Sequence, residues 1–285
     1  MSDFLAAGTA DATAGYSPPF LSPESTVPPL ALPSPAQNTT RLDYTHFTVL
    51  LDPRRRLAAA TAVNIDGSLL RDVPRSDDWH LDPRVPAANQ AGPELYADND
   101  LDRGHLVRRR DPVWGDDAGR ANADTFVYTN AAPQAAGFNQ SKELWAGLED
   151  YLLAHAAAYG QRMSVFTGPV FAVDDPVYRG VMIPRRYWKI AAWASAAGLR
   201  ASGYLLDQTP QLDDVGLATA IALAMGETPP LGPFRTFQVP TGDIAALTGL
   251  RIDQLVAADV RLDRGVAAES RWLPIESESD ILPAR

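Results

Sequence analysis

Runs of apolar residues along the chain predict strands on both sides of its middle. Two runs, 46–51 and 57–63, flank a short polar segment and predict a β-hairpin. Three later runs, 126–129, 164–167 and 187–193, are rich in β-branched and aromatic residues and predict further strands.

Helical spacing appears in three other places. In the segment 141–159 apolar residues recur at every third or fourth position, which predicts an amphipathic helix with Ser141 as its N-cap. Two shorter helices are predicted at 217–226 and 243–248. Strands, a central helix and further strands are typical of an α+β domain in which helices flank an antiparallel or mixed central sheet.

Composition divides the chain into three parts. Residues 1–40 are rich in Pro, Ser, Thr and Ala without periodicity, which predicts a flexible arm whose apolar residues, such as Leu21 and Leu30, are able to pack along the domain surface. Residues 41–270 show no internal repeat and no second change in composition, so a single domain is predicted there, followed by an acidic tail at 271–285.

The residue totals exclude several kinds of chemistry. The 285 residues include no cysteine, which excludes disulfides, thiolate metal sites and cysteine nucleophiles. The formal net charge is -10, which argues against attraction of nucleic acid by the whole surface. Any contact with phosphate must therefore be local.

The beginning of the chain bears on its expected location. The first forty residues contain no Lys or Arg, so neither a secretory signal nor a transit peptide is predicted, and no stretch is apolar for long enough to span a bilayer. We therefore expect a cytoplasmic protein without membrane contact, with export by a route that needs no cleaved signal as the alternative.

Candidate groups for phosphodiester hydrolysis lie between Arg75 and Glu149. This reaction needs an activated water, a cation near the scissile phosphate and groups that position the phosphate. His105 lies between the polar run 102–104 and the arginine run 108–110, and a neutral imidazole accepts a proton from water near neutral pH. A single histidine is more often structural, so the hypothesis depends on the motifs around it.

Four motifs in a fixed order strengthen this hypothesis. The segments 102–105, 129–134, 138–140 and 148–150 resemble the signature of the DNA/RNA non-specific endonuclease family, which includes secreted bacterial nucleases and endonuclease G. The resemblance covers roughly residues 40–255. It implies a ββα-metal finger as the active site of an endonuclease that uses Mg²⁺, or Mn²⁺ as a substitute, and hydrolyses DNA and RNA to products with 5′ phosphates.

The resemblance assigns roles to individual residues. His105 matches the general base and Asn139 the single protein ligand of a metal that is otherwise held mostly by water, an arrangement that suits Mg²⁺. Glu149 matches a glutamate that hydrogen-bonds metal-bound water, and Glu143 remains a rival because it lies four residues after Asn139. Asn130, nine residues before Asn139, matches an asparagine that fixes the histidine ring or supports the phosphate site.

Arginines are the candidates for contact with phosphate. Arg103 is suited to a non-bridging phosphate oxygen, and Asp102 is expected to position Arg103 or the turn. Arg75 matches the arginine that steadies the transition state, with Arg71 as the alternative. We expect one of two basic clusters to contact the backbone of a bound strand. The candidates in these clusters are Arg108, Arg109, Arg185, Arg186 and Lys189.

The implied partners are DNA and RNA, bound through the phosphate backbone, and the sequence does not separate the two. A nuclease that acts without specificity would damage its own cell, so we also expect an inhibitor or another regulatory partner. A homodimer is an option that the sequence leaves open. The alternative function is a catalytically idle or tightly regulated nucleic-acid-binding module on the same fold, against which the joint presence of His105, Asn139 and Glu149 argues.

Overall fold

An eight-stranded antiparallel sheet forms the centre of the fold. The computed structural model describes residues 15–21, 27–36, 38–135, 145–209, 235–262 and 272–275. The strands are β1 (Thr40–Tyr44), β2 (Phe47–Asp52), β3 (Leu57–Asp66), β4 (Leu101–His105), β5 (Ala131–Ala135), β6 (Arg162–Val170), β7 (Val177–Tyr178), β8 (Val181–Met182), β9 (Arg186–Ser195), β10 (Gly198–Asp207), β11 (Arg235–Val239) and β12 (Leu273–Pro274).

The large sheet has the order β1-β2-β3-β6-β9-β10-β11-β12, and every neighbouring pair is antiparallel. Two small sheets, β4 with β5 and β7 with β8, are also antiparallel. The predicted hairpin corresponds to β2 and β3, and the predicted strands at 164–167 and 187–193 lie within β6 and β9. The α+β prediction and these strand predictions are confirmed.

Short helices flank the sheet. The α-helices are α1 (Pro93–Tyr96), α2 (Ala118–Asp124), α3 (Trp145–Tyr159), α4 (Thr241–Thr248) and α5 (Asp253–Ala257), and 3-10 turns cover Pro18–Leu21, Ala87–Asn89 and Tyr128–Asn130. α3 confirms the central helix from residue 145 onward, and α4 confirms the helix at 243–248. Ser141 and the helix predicted at 217–226 lie outside the described residues. Within the described ranges, no helix combines the length and the apolar character that a membrane crossing requires.

Both faces of the large sheet are covered, which explains the nearly continuous apolar runs in its strands. On one face, the buried residues Leu148 and Leu152 of α3 join the core. On the other face, Ile244 of α4 packs in a second cluster together with Tyr16 and Leu30 from the beginning of the chain. The sheet therefore separates the side that carries α3 from the side that carries α4.

The described part of residues 1–40 lies against the sheet. Tyr16, Leu21 and Leu30 are buried, and the backbone N–H of Tyr16 donates to Thr48 Oγ1 at 2.9 Å. Burial of these apolar side chains agrees with the expectation that the arm packs along the domain surface. The domain boundaries at residues 40 and 270 stay predictions.

The strand predicted at 126–129 is wrong. Phe126 and Val127 are buried, but Val127 forms only an isolated bridge to His80, and Tyr128–Asn130 is a 3-10 turn. The apolar run reflected burial and not an extended backbone. The turn places the side chain of Asn130 against the backbone of Val107, to which it forms hydrogen bonds.

Candidate active site

β4 contains the motif that ends in His105 and pairs with β5, where His105 lies opposite Ala131. α2 and the 3-10 turn Tyr128–Asn130 lie between these two strands along the chain, and the next described element after β5 is α3, so the strand pair is followed by a helix. This order agrees with the predicted ββα unit. The segment 136–144, which contains Asn139 and Glu143, lies outside the described residues, and their roles stay predictions.

The glycine of the motif is required by close packing. A Cβ atom on Gly104 would overlap with Oε1 and Cδ of Gln134, whose side chain is buried across the β4–β5 pair. Asp102 lies opposite Gln134 in the same pair. Gly104 therefore lets Gln134 pack on the backbone directly before His105.

His105 is a half-buried residue with an aromatic environment. Its ring centroid lies 4.7 Å from that of Trp79 and 5.2 Å from that of Phe126. Its Nε2 is shielded from solvent and has no hydrogen-bond partner in the part of the chain that the structure describes. Burial, followed by the positive charges of Arg75 and Arg109, lowers the pKa of His105 to about 3. The imidazole is therefore neutral at neutral pH.

Two of the predicted arginines lie beside this ring. The guanidinium of Arg75 lies 5.4 Å from the Phe126 ring and donates from Nε to Asp77 Oδ1 at 2.7 Å. The guanidinium of Arg103 lies 5.4 Å from the Trp79 ring. Both side chains belong to exposed residues. Their charges act on the pKa of His105, and so does that of Arg109.

Arg71, the alternative to Arg75, and Arg109, the third arginine near His105, have different surroundings. Arg71 donates its backbone N–H to the Val113 carbonyl, whereas the guanidinium of Arg75 lies at the Phe126 ring and its charge acts on the pKa of His105. Arg109 donates from Nη1 to the Val73 carbonyl at 2.8 Å and to Asn122 Oδ1 at 3.0 Å. The geometry thus favours Arg75 as the upstream arginine.

Asn130 holds the chain that leaves β4. Its amide nitrogen donates to the carbonyls of Val107 at 3.0 Å and Thr125 at 3.1 Å, and its Oδ1 accepts from the Val107 N–H at 2.9 Å. These contacts are with backbone and not with the imidazole. Of the two roles expected for Asn130, the geometry favours positioning, exerted through the backbone two residues after His105.

Glu149 of α3 faces two cations. Its Oε1 accepts a hydrogen bond from Lys189 Nζ at 2.8 Å, and its Oε2 lies 3.6 Å from Arg108 Nε. Arg108 also pairs with Asp150. The side chain of Lys189 is only 1% exposed.

This corrects the expected contact between Lys189 and a bound strand. Lys189 lies in the middle of β9, where alternate side chains point to opposite faces of the sheet, and its own side chain is directed at Glu149. Arg108 is likewise engaged by acidic groups of α3 and is largely buried, so it too is not placed as an open phosphate contact.

The remaining basic cluster lies at the start of β9. Arg185 and Arg186 are partly exposed. They lie near the end of β5, because Gln208 donates to the Pro184 carbonyl at 2.6 Å and accepts from the Ala135 N–H at 3.0 Å. Their contact with a bound strand stays a prediction.

Two acidic residues of the site were not identified from the sequence. Asp77 binds Arg75 and has a left-handed backbone, with φ of 58°. Asp111 is buried, and burial raises its pKa to about 6 although the charges of Lys189 and Arg108 act in the opposite direction. The available signal for Asp111 was an acidic residue directly after three arginines.

The expected metal site relies on two oxygen donors. In the described ranges, no group of three or more histidine, cysteine, aspartate or glutamate side chains is arranged to hold a metal ion. The predicted donors are the amide oxygen of Asn139 and, through water, the carboxylate of Glu149. Both are hard oxygen donors, which Mg²⁺ prefers.

Comparison with known proteins points to one family. The model of the DNA/RNA non-specific endonuclease family matches residues 28–259. An uncharacterized protein of Sinorhizobium fredii, y4fB, is 41% identical over 276 residues, which are 87% of this chain and 40% of that protein. Mitochondrial endonuclease G is 30% identical in Bos taurus and 29% identical in Homo sapiens, in each case over 63% of this chain and 62% of that protein. The chain thus spans less than two thirds of the length of these curated relatives.

A solved structure agrees with the fold. A chain from the crystal structure of the EndoG/EndoGI complex, which concerns the mechanism of EndoG inhibition, superposes with a TM-score of 0.55 over 75% of this chain and 86% of that chain. The sequence identity is 18%, so this likeness bears on the fold alone.

Proposed function

Because this chain belongs to the DNA/RNA non-specific endonuclease family, we propose that it is a metal-dependent endonuclease that hydrolyses phosphodiester bonds of DNA and RNA and leaves 5′ phosphates. The observation that carries the proposal is the neutral imidazole of His105, whose Nε2 has no hydrogen-bond partner among the described residues, near the positive charges of Arg75, Arg103 and Arg109. This local positive charge lies in a chain with a net charge of -10.

His105 is the base in this mechanism. The unprotonated nitrogen of its neutral ring takes a proton from the water that attacks phosphorus. Burial, together with the positive charges near the ring, holds its pKa low in the free protein. An arriving phosphate brings negative charge to the same place, so substrate binding raises the proton affinity of the base when it is needed.

Arg75 and Arg103 bind the phosphate. Guanidinium groups stay charged and offer two parallel donors to phosphate oxygens. The rings of Phe126 and Trp79 support these guanidinium groups at 5.4 Å each, a distance at which cations are attracted to aromatic faces. Charge that develops on the phosphate is thus met by donors already in place.

Mg²⁺, held by Asn139 and by water that Glu149 orients, would supply positive charge at the scissile phosphate and the leaving oxygen, with Mn²⁺ as a substitute. Glu149 is a fixed charged acceptor because Lys189 binds its Oε1. Asn130 keeps the chain after His105 in place. Recognition is by the phosphate backbone, so both DNA and RNA are proposed substrates.

Control by a partner is part of the proposal. The structural neighbour comes from a complex of EndoG with EndoGI in which EndoG is inhibited. We extend this to an inhibitory partner for the present chain. The alternative function, an idle module that binds nucleic acid without cleaving it, shares the same surface and differs only in turnover.

Metal removal tests the proposed function. Purified protein is incubated with supercoiled plasmid or single-stranded RNA, with Mg²⁺, with Mn²⁺ or with chelator. We expect nicking and linearisation of the plasmid and degradation of the RNA with either metal, and no cleavage with chelator. Because the proposed products carry 5′ phosphates, DNA ligase should join the cleaved DNA without prior phosphorylation by a kinase. Cleavage that persists in chelator contradicts the metal requirement, and binding without cleavage by the wild-type protein favours the idle module.

Stability should fall on acidification because of His105. Burial and neighbouring cations lower its pKa from 6.5 to about 3. The unfolded chain therefore takes up a proton at this residue as the pH falls below its ordinary pKa, whereas the folded chain does not. The stability that this residue contributes at neutral pH is lost as the pH falls towards 3, with a slope of up to about 1.4 kcal/mol per pH unit.

Urea unfolding of wild type and His105→Gln measures this effect at neutral pH and at about pH 5. We expect the wild type to lose more free energy of unfolding than the variant, by on the order of 1 kcal/mol. Asp111, with its raised pKa, contributes in the opposite direction, but it is present in both proteins and cancels. Equal losses in the two proteins would show that the pKa of His105 is not depressed.

A further inference from the structure

A buried ionic cluster joins three elements beside the proposed site. It consists of Glu149 of α3, which pairs with Arg108 after β4 and with Lys189 of β9, and of Asp111, whose pKa is affected by the charges of these three residues. Lys189 lies in the middle of the sheet, opposite Thr167 of β6. Contacts within the cluster therefore connect the sheet, the helix and the chain that leaves the His105 strand.

The geometry leaves the Glu149 carboxylate little freedom. Lys189 Nζ donates to its Oε1 at 2.8 Å, while Arg108 Nε lies 3.6 Å from its Oε2. The exposed fractions of the side chains are 12% for Glu149, 16% for Arg108 and 1% for Lys189. Each carboxylate oxygen thus faces a different cation in surroundings that screen charge poorly.

Stability alone is a weak reason for a lysine at this position. Removing two charges from water is costly, and an apolar pair of similar shape is often as stable as a buried ion pair. The side chains next to Lys189 on this face of the strand, Tyr187 and Ala191, belong to the hydrophobic core. What Lys189 adds beyond packing is a fixed direction for the carboxylate of Glu149.

Resting on the proposed nuclease function, we propose that Lys189 is a positioning residue that fixes the Glu149 carboxylate relative to the strand carrying His105. Lys189 holds Oε1 from the sheet, and Arg108, three residues after His105, lies at Oε2. The carboxylate is thereby held both by the sheet and by the segment that follows His105. Loss of the lysine releases the acceptor that orients metal-bound water.

The test uses Lys189→Met, Glu149→Gln and the double variant of the full chain. Mn²⁺ binding is measured by calorimetry without nucleic acid, and plasmid cleavage is measured as a function of Mn²⁺ concentration. Each single variant should bind Mn²⁺ about tenfold more weakly, as is typical for loss of a group that supports metal ligands. Because Lys189 acts through Glu149, the double variant should be no weaker than Glu149→Gln alone.

A matched control separates this role from general destabilisation. Asp259 is also a buried charged residue, but its carboxylate accepts from the Thr241 N–H at 2.7 Å, at the start of α4. That helix packs on the face of the sheet opposite α3. Asp259→Asn should lower the free energy of unfolding and leave Mn²⁺ affinity and cleavage as in the wild type.

Lys189→Met with wild-type Mn²⁺ affinity and cleavage would overturn the proposal. A double variant much weaker than Glu149→Gln would also overturn it, because Lys189 would then act on another group. If Lys189→Met does not fold, the comparison of the double variant with Glu149→Gln decides. The double variant is expected to fold because neither position then carries a charge without its partner.

The wild-type protein separates failure of this proposal from failure of the proposed function. A wild type that binds Mn²⁺ but cleaves nothing, with the expected pattern among the variants, refutes the nuclease function and supports the role of Lys189. A wild type that neither binds Mn²⁺ nor cleaves overturns both.

Discussion

His105→Ala is expected to lower the rate of cleavage by about 10²–10⁴-fold, which is the contribution typical of a positioned general base. The variant loses the only proton acceptor that we assign to the attacking water. Arg75 and Arg103 keep their support from Phe126 and Trp79, so binding of the phosphate backbone should persist. Single-turnover plasmid nicking measures the rate, and fluorescence anisotropy with labelled DNA measures binding at the same salt concentration.

His155→Ala is the matched control for this prediction. His155 is also a half-buried histidine, but it lies on α3 with its ring 4.7 Å from that of Tyr159. This variant should cleave like the wild type. Added imidazole should restore part of the activity of His105→Ala and have no effect on His155→Ala. Cleavage by His105→Ala at nearly the wild-type rate would assign the base to another residue.

The sheet was largely predictable because strands covered on both faces have continuous apolar runs. The runs at 46–51 and 187–193 became β2 and β9 for this reason. The same signal failed at 126–129, since burial beside Trp79 and His105 also requires apolar residues but imposes no extended backbone. Apolar content thus predicted which segments are buried better than it predicted their conformation.

The site residues that lie within or near the ordered motifs were predictable from the sequence. His105 and Arg103 are neighbours in sequence, and the resemblance brought Arg75 to them. The role of Lys189 was not predictable from the sequence. Its position close to Arg185 and Arg186 indicated an exposed basic cluster. Its partner Glu149 lies forty residues away, and only the pairing of β9 under α3 brings the two charges together.

Gly104→Ala is expected to affect both activity and stability. The added Cβ would overlap with Oε1 and Cδ of Gln134, and Gln134 is too deeply buried to swing into solvent. β4 and β5 must therefore separate locally, at a cost of about 1–3 kcal/mol in the free energy of unfolding. His105 is the next residue, and a displacement of about 1 Å of a catalytic group lowers the rate on the order of 10²-fold.

Gly119→Ala in α2 is the control for Gly104→Ala, because a Cβ at residue 119 meets no atom within 4 Å. Alanine in a helix should leave cleavage unchanged and raise the free energy of unfolding by about 0.5–1 kcal/mol. Urea unfolding and plasmid nicking compare the two variants.

The double variant Gly104→Ala/Gln134→Ala isolates the cause of the Gly104 effect. If overlap with Gln134 displaces His105, shortening the Gln134 side chain makes room for the new Cβ and returns His105 towards its place. The double variant should then cleave faster than Gly104→Ala, although it loses the packing of Gln134. A double variant slower than both single variants would show that Gly104 is required for a reason other than the space that Gln134 occupies.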